Sequence, residues 1–432
     1  MKGIRWLGIA VVLLGIIANQ WSIGFLLSND GRIESSFNRN LILLFQCLII
    51  SFGLVLIFAS KYRQFATGMK VVWGVGYKLL IGVLLVELIF GGWFNPLNRL
   101  KNLNIPRNTV MRYDVSTLYP RNSLITYTRD QYGLRGVYPS PDSIDILTVG
   151  GSSTDQSMVS DEETWQAVLQ NEFHKNNQPL SVVNAGRNGQ STIGHIKCFE
   201  LWFPVIPNFK PKYILFYIGE NDLNGGEWEK DSLIVKMTIV RLVSSSIRHN
   251  SFFFPSLHTL YRKFKNDHGI PANKLVDPAL KTWTTLPLIQ DSSYHQIMAG
   301  HLDQFAQRLN RLMDYTDSMG AKGIFVTHAD RDWRFVDGRL EGVGDSALFG
   351  TVAFNGVDKF RMMQEQNRVM AQVAQERGAF FLNTGESHIW EDSDFYDLVH
   401  FTPDGCRKFG KMLYDSLNAQ ITTRANGYPE KH

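Results

Sequence analysis

The chain is poor in the residues that would give it metal or redox chemistry. Its 432 residues include three cysteines, Cys47, Cys198 and Cys406. Their spacing fits no metal or redox motif and suggests no disulfide framework, and Cys47 lies in an apolar stretch. There is no HExxH pair, no paired CxxC and no P-loop, so no metal and no nucleotide cofactor is expected. Repeats and low-complexity tracts are absent, which excludes solenoids and long disordered linkers. The net charge is only +4, too mild to argue for a nucleic-acid partner.

Apolar sequence, by contrast, is plentiful at the start. Three runs, about Ile4–Leu27, Leu41–Ser60 and Val71–Phe94, each come close to the ~20 residues a helix needs to cross a bilayer. A cleaved signal peptide would explain one such run and not three. Trp6, Trp21, Trp73 and Trp93 fall near the run ends, where interfacial aromatics sit. Lys78 and Glu87 in the third run are costly in lipid unless they face other helices or an interface. Residues 1–95 therefore read as a transmembrane region of three helices. Lys2 and Arg5 at the amino terminus, with Lys61, Arg63 and Lys70 in the second loop, favour those parts inside. Everything after Phe94 is then expected outside the cytoplasm, although Arg99, Lys101 and Arg107 argue the other way. The expected location is a cell membrane crossed several times, of the bacterial inner-membrane kind.

Residues 96–141 read as a linker with prolines and charges, and Arg129–Gly136 (RDQYGLRG) as an ordered turn within it. From Asp142 to about residue 420 strands and helices alternate. Strands are expected at Ile144–Val149, Leu180–Asn184, Tyr213–Ile218, Gly323–Thr327 and Ala379–Leu382. Helices are expected at Thr164–His174, Thr192–Phe203, Asp303–Ser318, Lys359–Arg377 and Gly405–Leu417. Such alternation implies right-handed crossovers and a parallel sheet covered on both faces. An insertion at 225–283 breaks the pattern. Within it Lys230–Lys265 is basic, with Asp231 its one acid, and apolar residues including Phe252, Phe253 and Phe254 are threaded through it. It reads as a solvated helix over the sheet edge, or as one lying on an anionic membrane or a partner.

The chemistry concentrates in four turns. Ile144–Val149 is a buried-strand run that ends in Gly150-Gly151 and opens a helix with Ser152-Ser153-Thr154. Serines there can simply cap a helix, or can stand at the sheet edge where α/β proteins bind ligands. The second turn is Asn184-Ala185-Gly186-Arg187-Asn188-Gly189, and the third is Gly219-Glu220-Asn221-Asp222. The fourth runs Asp397-Leu398-Val399-His400. Serine acyl transfer needs a nucleophile, a base, an orienter and an oxyanion hole. Ser152, His400 and Asp397 suit the first three. The backbone N–H groups of Ser152 and Gly189 and the Asn221 amide suit the oxyanion hole.

These four blocks, in this order, resemble the SGNH/GDSL hydrolases, whose four name residues fall on Ser152, Gly189, Asn221 and His400, with Asp397 completing the triad. The resemblance covers roughly Asp142–Asn418. It implies an α/β class fold, a flavodoxin-like α/β/α sandwich with a parallel sheet of about five strands, here preceded by three transmembrane helices. The usual Gly-Asp-Ser is Gly150-Gly151-Ser152 in this chain, so hydrogen bonding around the turn must differ. A literal Gly344-Asp345-Ser346 follows no expected strand and is set aside. Ser153 is a rival nucleophile one residue off the turn position. His328, ending the fourth strand, reads as a satisfied structural histidine rather than a pocket residue. Asp222 reads as a turn stabiliser, and Arg187 and Glu220 as either solvent-exposed or substrate-facing.

The expected function is a membrane-anchored serine esterase or acyltransferase. Its expected substrate, by resemblance and location, is an O-acyl, especially O-acetyl, group of a cell-envelope glycan or glycolipid. Transfer rather than hydrolysis would require a separate acyl-donor or polysaccharide-export partner protein. The alternative is a catalytically inactive SGNH-like scaffold or glycan-binding subunit of an envelope complex. The presence of all five chemical residues argues against that alternative.

Overall fold

The computed structural model describes residues 2–22, 36–61, 63–94, 103, 105–120, 124–223, 231, 233, 247, 250–254, 274–290, 293–386 and 390–425. By internal contact the chain divides into two units, residues 1–98 with 236–265, and residues 99–235 with 266–432.

The first unit is helical: α1 (Lys2–Ile17), α2 (Ser36–Ala59) and α3 (Arg63–Phe90). Among the described residues one stretch, Ile42–Ala59 of α2, is long and apolar enough to cross a membrane, against the three spans expected from sequence. The other two runs extend past the described residues: residues 23–27 of the first, and the side chains of residues 71–73 of the third, lie outside them. The apolar part of α1 runs only from Ile4 to Ile17. Past it the Asn19 side chain accepts the N–H groups of Trp21 and Ser22, at 2.9 and 3.0 Å, as a helix cap does. Helix α3 carries Lys78 and Glu87 inside it. Glu87 is nonetheless satisfied, by Ser251 Oγ, by the Phe252 N–H at 2.8 Å and by Trp93 Nε1 at 3.3 Å. Phe90 and Phe252 rings lie 5.6 Å apart. This part of the basic segment therefore belongs with the amino-terminal helices and not with the sheet. The cationic residues Lys236, Arg241, Arg248, Arg262, Lys263 and Lys265 lie outside the described residues. On α2, Leu43, Phe45, Phe52 and Val55 are each more than half exposed.

In the second unit the expected linker is structured. An antiparallel hairpin pairs β1 (Thr109–Asp114) with β2 (Leu124–Arg129). The alternating unit follows: β3 (Ile146–Gly150), α4 (Ser152–Asp155), α5 (Trp165–Lys175), β4 (Val182–Asn184), α6 (Thr192–Lys197), β5 (Tyr213–Tyr217) and α7 (Glu220–Leu223). After β6 (Trp283–Thr284) come α8 (Tyr294–Ser318) and β7 (Lys322–Val326). Then come β8 (Trp333–Val336), β9 (Arg339–Val343), β10 (Ala347–Phe349), β11 (Val352–Phe354), α9 (Gly356–Glu376), β12 (Phe380–Leu382) and α10 (Pro403–Ala425).

Strands β4, β3, β5, β7 and β12 form, in that order, one five-stranded sheet, every pair parallel. Its middle strands read as continuous apolar runs because both faces are covered: Ile146, Leu147, Ile214, Leu215, Phe216, Ile324, Phe325 and Val326 have no exposure. Helices α5 and α10 cover one side through Trp165, Leu169, Phe173, Phe409 and Leu413. Helices α8 and α9 pack on each other through Met298, Leu302, Met362 and Met363. Each such core side chain contributes roughly 1.5–3 kcal/mol when removed from water. From β3 the chain steps one way to β4 and the other way to β5. The crevice beyond the carboxyl ends of β3 and β5 is thus the switch point where open α/β sheets bind ligands.

Between β7 and α9 lies an excursion that sequence periodicity did not reveal, in which β8 and β9 join the earlier β6 in a three-stranded sheet β6-β9-β8 and β10-β11 form a hairpin. Its strands are two to five residues long, too short to show a period. Gly344-Asp345-Ser346 sits there, away from the edge of the main sheet. Asp345 is an exposed ion-pair partner of Lys281 at 2.5 Å.

Candidate active site

The turn after β3 is held from below by the segment first read as a linker. Arg129 sends Nη1 to the Asn184 carbonyl at 3.2 Å, and Nη2 to the Gly186 carbonyl at 2.7 Å and to the Asp155 carboxylate. Arg135 donates to the carbonyls of Asp155, Gln156 and Val159 at 2.6, 2.9 and 2.6 Å. Both guanidiniums are buried. Planar, forked donors of this kind fix several carbonyls at once. They lock α4 against the β4 turn, so Gly150–Asp155 and Asn184–Gly189 share one geometry.

On that base the structure brings Ser152, His400 and Asp397 together. His400 Nε2 lies 2.8 Å from Ser152 Oγ, and His400 Nδ1 lies 2.7 Å from Asp397 Oδ2. The other carboxylate oxygen, Asp397 Oδ1, accepts the N–H groups of Val399 and His400 at 2.9 and 2.8 Å. Burial by itself would raise the Asp397 pKa. The hydrogen bond from His400, the His400 charge and the two backbone N–H donors outweigh it and hold the carboxyl below its usual range. The three-residue spacing works because the loop folds back on Asp397 as an Asx-type turn. Tyr396 stacks on the His400 ring, with centroids 5.5 Å apart and planes 7° from parallel.

Asn221 lies at the start of α7, beyond the carboxyl end of β5. Its Nδ2 donates one hydrogen to the Gln190 carbonyl at 2.9 Å, which leaves the second for a ligand beside Ser152. Gly189, with φ +73°, is in the left-handed region that favours glycine. Gly151 explains the departure from Gly-Asp-Ser. A Cβ there would come within 2.4 Å of Asn221 Nδ2, so an aspartate in place of Gly151 has no room in this arrangement. Asp222 is buried and accepts from the Thr192 N–H and hydroxyl and from Arg308. Burial pushes its pKa up to about 6, and it acts as a turn stabiliser, as read from sequence. Asp231 similarly holds the start of α6 through Ser191 and Gly194.

Sequence reasoning missed the surroundings of His328. It is buried, as expected of a structural histidine, but it also lines a small cavity of about 10 Å³ with Ser152, Ser153, Gly219, Glu220 and Asn221. His400 does not line it. Glu220 is neither solvent-exposed nor free, since Lys359 Nζ lies 2.7 Å from its Oε1. A polar His-Ala-Asp at the carboxyl end of the fourth parallel strand was the signal that could have found this group. The three cysteines are free, and Cys198 and Cys406 are buried.

No protein-family model matches the chain, and no curated protein is similar to it. Solved structures do resemble it at low similarity. An acetyl xylan esterase, AlAXEase, has 12% identity and a TM-score of 0.36 over 63% of this chain and 99% of its own. A member of the lipolytic GDSL family from Veillonella parvula has 12% identity and a TM-score of 0.35 over 63% and 97%. The psychrotrophic esterase EstA from a Pseudoalteromonas species has 12% identity and a TM-score of 0.33 over 64% and 98%.

Proposed function

We propose that the chain is a membrane-anchored serine esterase or acyltransferase with Ser152 as nucleophile. The observation that carries this reading is the hydrogen-bonded row Ser152–His400–Asp397 at the sheet's switch point, with the Asn221 amide beside it. In the reaction His400 Nε2 takes the Ser152 proton as Oγ attacks the acyl carbon. Asp397 holds the imidazole with its proton on Nδ1 and balances its charge. The oxyanion is met by Asn221 Nδ2 and the N–H groups of Ser152 and Gly189. His400 then returns the proton to the departing alkoxide. Water or a sugar hydroxyl, deprotonated by His400 in turn, releases the acyl group.

The substrate reading is an O-acyl, specifically O-acetyl, group on a cell-envelope glycan or glycolipid, with an acyl-donor or polysaccharide-export partner if the reaction is transfer. It is supported by the Ile42–Ala59 stretch of α2, which is long and apolar enough to cross a membrane, and by the resemblance of the four blocks to the SGNH/GDSL hydrolases. The experiment labels the full-length chain in detergent with a fluorophosphonate. It maps the labelled peptide and measures acetate release from acetylated glycans with and without sugar acceptors. Modification of Ser152 with acetate release supports the reading. A folded protein with neither would leave the scaffold or glycan-binding alternative.

A further inference from the structure

A second Ser–His–Asp row lies beside the first. Ser153 Oγ is 2.9 Å from His328 Nε2, and His328 Nδ1 is 3.0 Å from Asp330 Oδ1. All three residues are buried, Asp330 at 1% exposure. The His328 ring stacks on Tyr217, with centroids 4.6 Å apart. Ser153 Oγ also lies 3.3 Å from the carbonyl of Val399, the residue before His400.

The row continues past Asp330. Asp330 Oδ2 and Glu220 Oε2 are both buried and receive no donor from the chain. Burial and the neighbouring Asp330 charge raise the Glu220 pKa. Burial also opposes ionisation of Asp330, but Lys359 and His328 outweigh it and keep that carboxyl ionised. A protonated Glu220 turned to an ionised Asp330 satisfies both oxygens with one hydrogen. Glu220, His328 and Asp330 each offer a ligand atom within 4.8 Å of the others. A divalent cation is nonetheless a poor occupant. The Lys359 ammonium already sits 2.7 Å from Glu220, also pairs with Asp332, and lies 3.8 Å from Asp330. Both His328 nitrogens are engaged as well. A second esterase centre is equally unsuited, since Ser153, His328 and Asp330 are all buried.

We propose that Ser153, His328 and Asp330, closed by Glu220, form a positioning brace that ties the Ser152 turn, the His400 loop and the Asn221 turn into one unit. Each end of the brace is one residue from a member of the reacting row: Ser153 follows Ser152, Val399 precedes His400, and Glu220 precedes Asn221. His328 joins Asp330 at Nδ1 and Ser153 at Nε2, and the one hydrogen of the Ser153 hydroxyl faces both His328 and the Val399 carbonyl. That pins the first turn of α4, whose own four residues cannot hold it by helix cooperativity. The proposal rests on Ser152 being the nucleophile, and its test separates the two.

The test uses the full-length chain in detergent, with kcat and KM for p-nitrophenyl acetate expressed per fluorophosphonate-titrated site. His328→Ala should lower kcat per titrated site by about 10–100-fold, the cost of misplacing groups by a fraction of an ångström to an ångström. KM should change little, and Ser153→Ala should follow the same pattern more mildly. His328→Gln, which keeps a donor and an acceptor, should restore part of kcat. Unchanged kcat per site with only a lowered Tm would make the row a purely structural contact and overturn the proposal. So would a rise in KM alone. If the wild-type chain neither turns over nor labels, the nucleophile reading fails instead. The brace is then judged by NMR of ¹⁵N-histidine-labelled protein. A strongly hydrogen-bonded imidazole N–H lost in His328→Gln and shifted in both Ser153→Ala and Glu220→Gln supports it, and absence of that signal refutes it.

Discussion

Gly151→Ala tests the oxyanion geometry with a single methyl group. The backbone does not demand glycine there, because φ is −81°. What demands it is Asn221: the added Cβ would lie 2.4 Å from Nδ2, with the Gln190 carbonyl next at 3.3 Å. Ordinary contact needs about 3.5 Å or more, so Nδ2 must retreat by about 1 Å and give up its 2.9 Å anchor on Gln190. Loss of one oxyanion donor costs about 2.7–4 kcal/mol, or ~10²–10³ in kcat. We expect that loss with folding intact. The assay is kcat for a soluble acetyl ester per titrated Ser152, with near-ultraviolet circular dichroism as the folding check. Asn221→Ala should give a similar loss, and the double variant should be little worse than either single one, because both remove the same donor. Gly150→Ala is the contrast. Its Cβ would meet the Tyr217 backbone carbonyl at 2.3 Å, so it should fail in folding before it fails in catalysis. A folded Gly151→Ala protein with wild-type kcat, or full multiplication of the two single effects, would refute the placement of Asn221 in the hole.

Ser152→Ala should abolish ester turnover and probe labelling by several orders of magnitude without unfolding the chain, as measured by single-turnover assays. Asp397→Asn should cost about 10⁴ in kcat by favouring the wrong imidazole tautomer, with the circular dichroism spectrum unchanged. The depressed Asp397 pKa stabilises the fold above its unfolded value and is lost only as pH drops through the folded one. Denaturant midpoints should therefore fall with acid in the wild type and fall less in Asp397→Asn, as followed by ellipticity. Arg129→Ala should cost about 3–5 kcal/mol in denaturant unfolding, since it leaves the Asp155 carboxylate buried without its partner. A reporter fused after Val110 that works only outside the cytoplasm should be active, and a silent reporter there would invert the topology.

The local code was enough for the sheet. Ile144–Val149, Tyr213–Ile218 and Gly323–Thr327 are mostly apolar, which is what burial on both faces requires, and the observed strands fall within two residues of those limits. Glycine turns after β3, β4 and β5 marked the ligand edge, because a parallel sheet gathers its loops there whatever the helices do. Ser152 and Asn221 stood out for that reason and Asp397 and His400 by their spacing, and the fold brings Ser152, His400 and Asp397 together. Other features depended on partners distant in sequence. Glu87 is acceptable in an apolar helix only because Ser251 and Phe252 fold onto it. Arg129 and Arg135 looked like a turn in a linker until Asp155 and the β4 carbonyls came to them. The missing aspartate of Gly-Asp-Ser had no explanation until Asn221 Nδ2 was found in the space its side chain would occupy. His328 reads the same in sequence whether it fills a core or braces a nucleophile. Its role depends on Ser153, Asp330 and Glu220, which three different strand ends deliver to one place, and only the folded sheet brings those ends together.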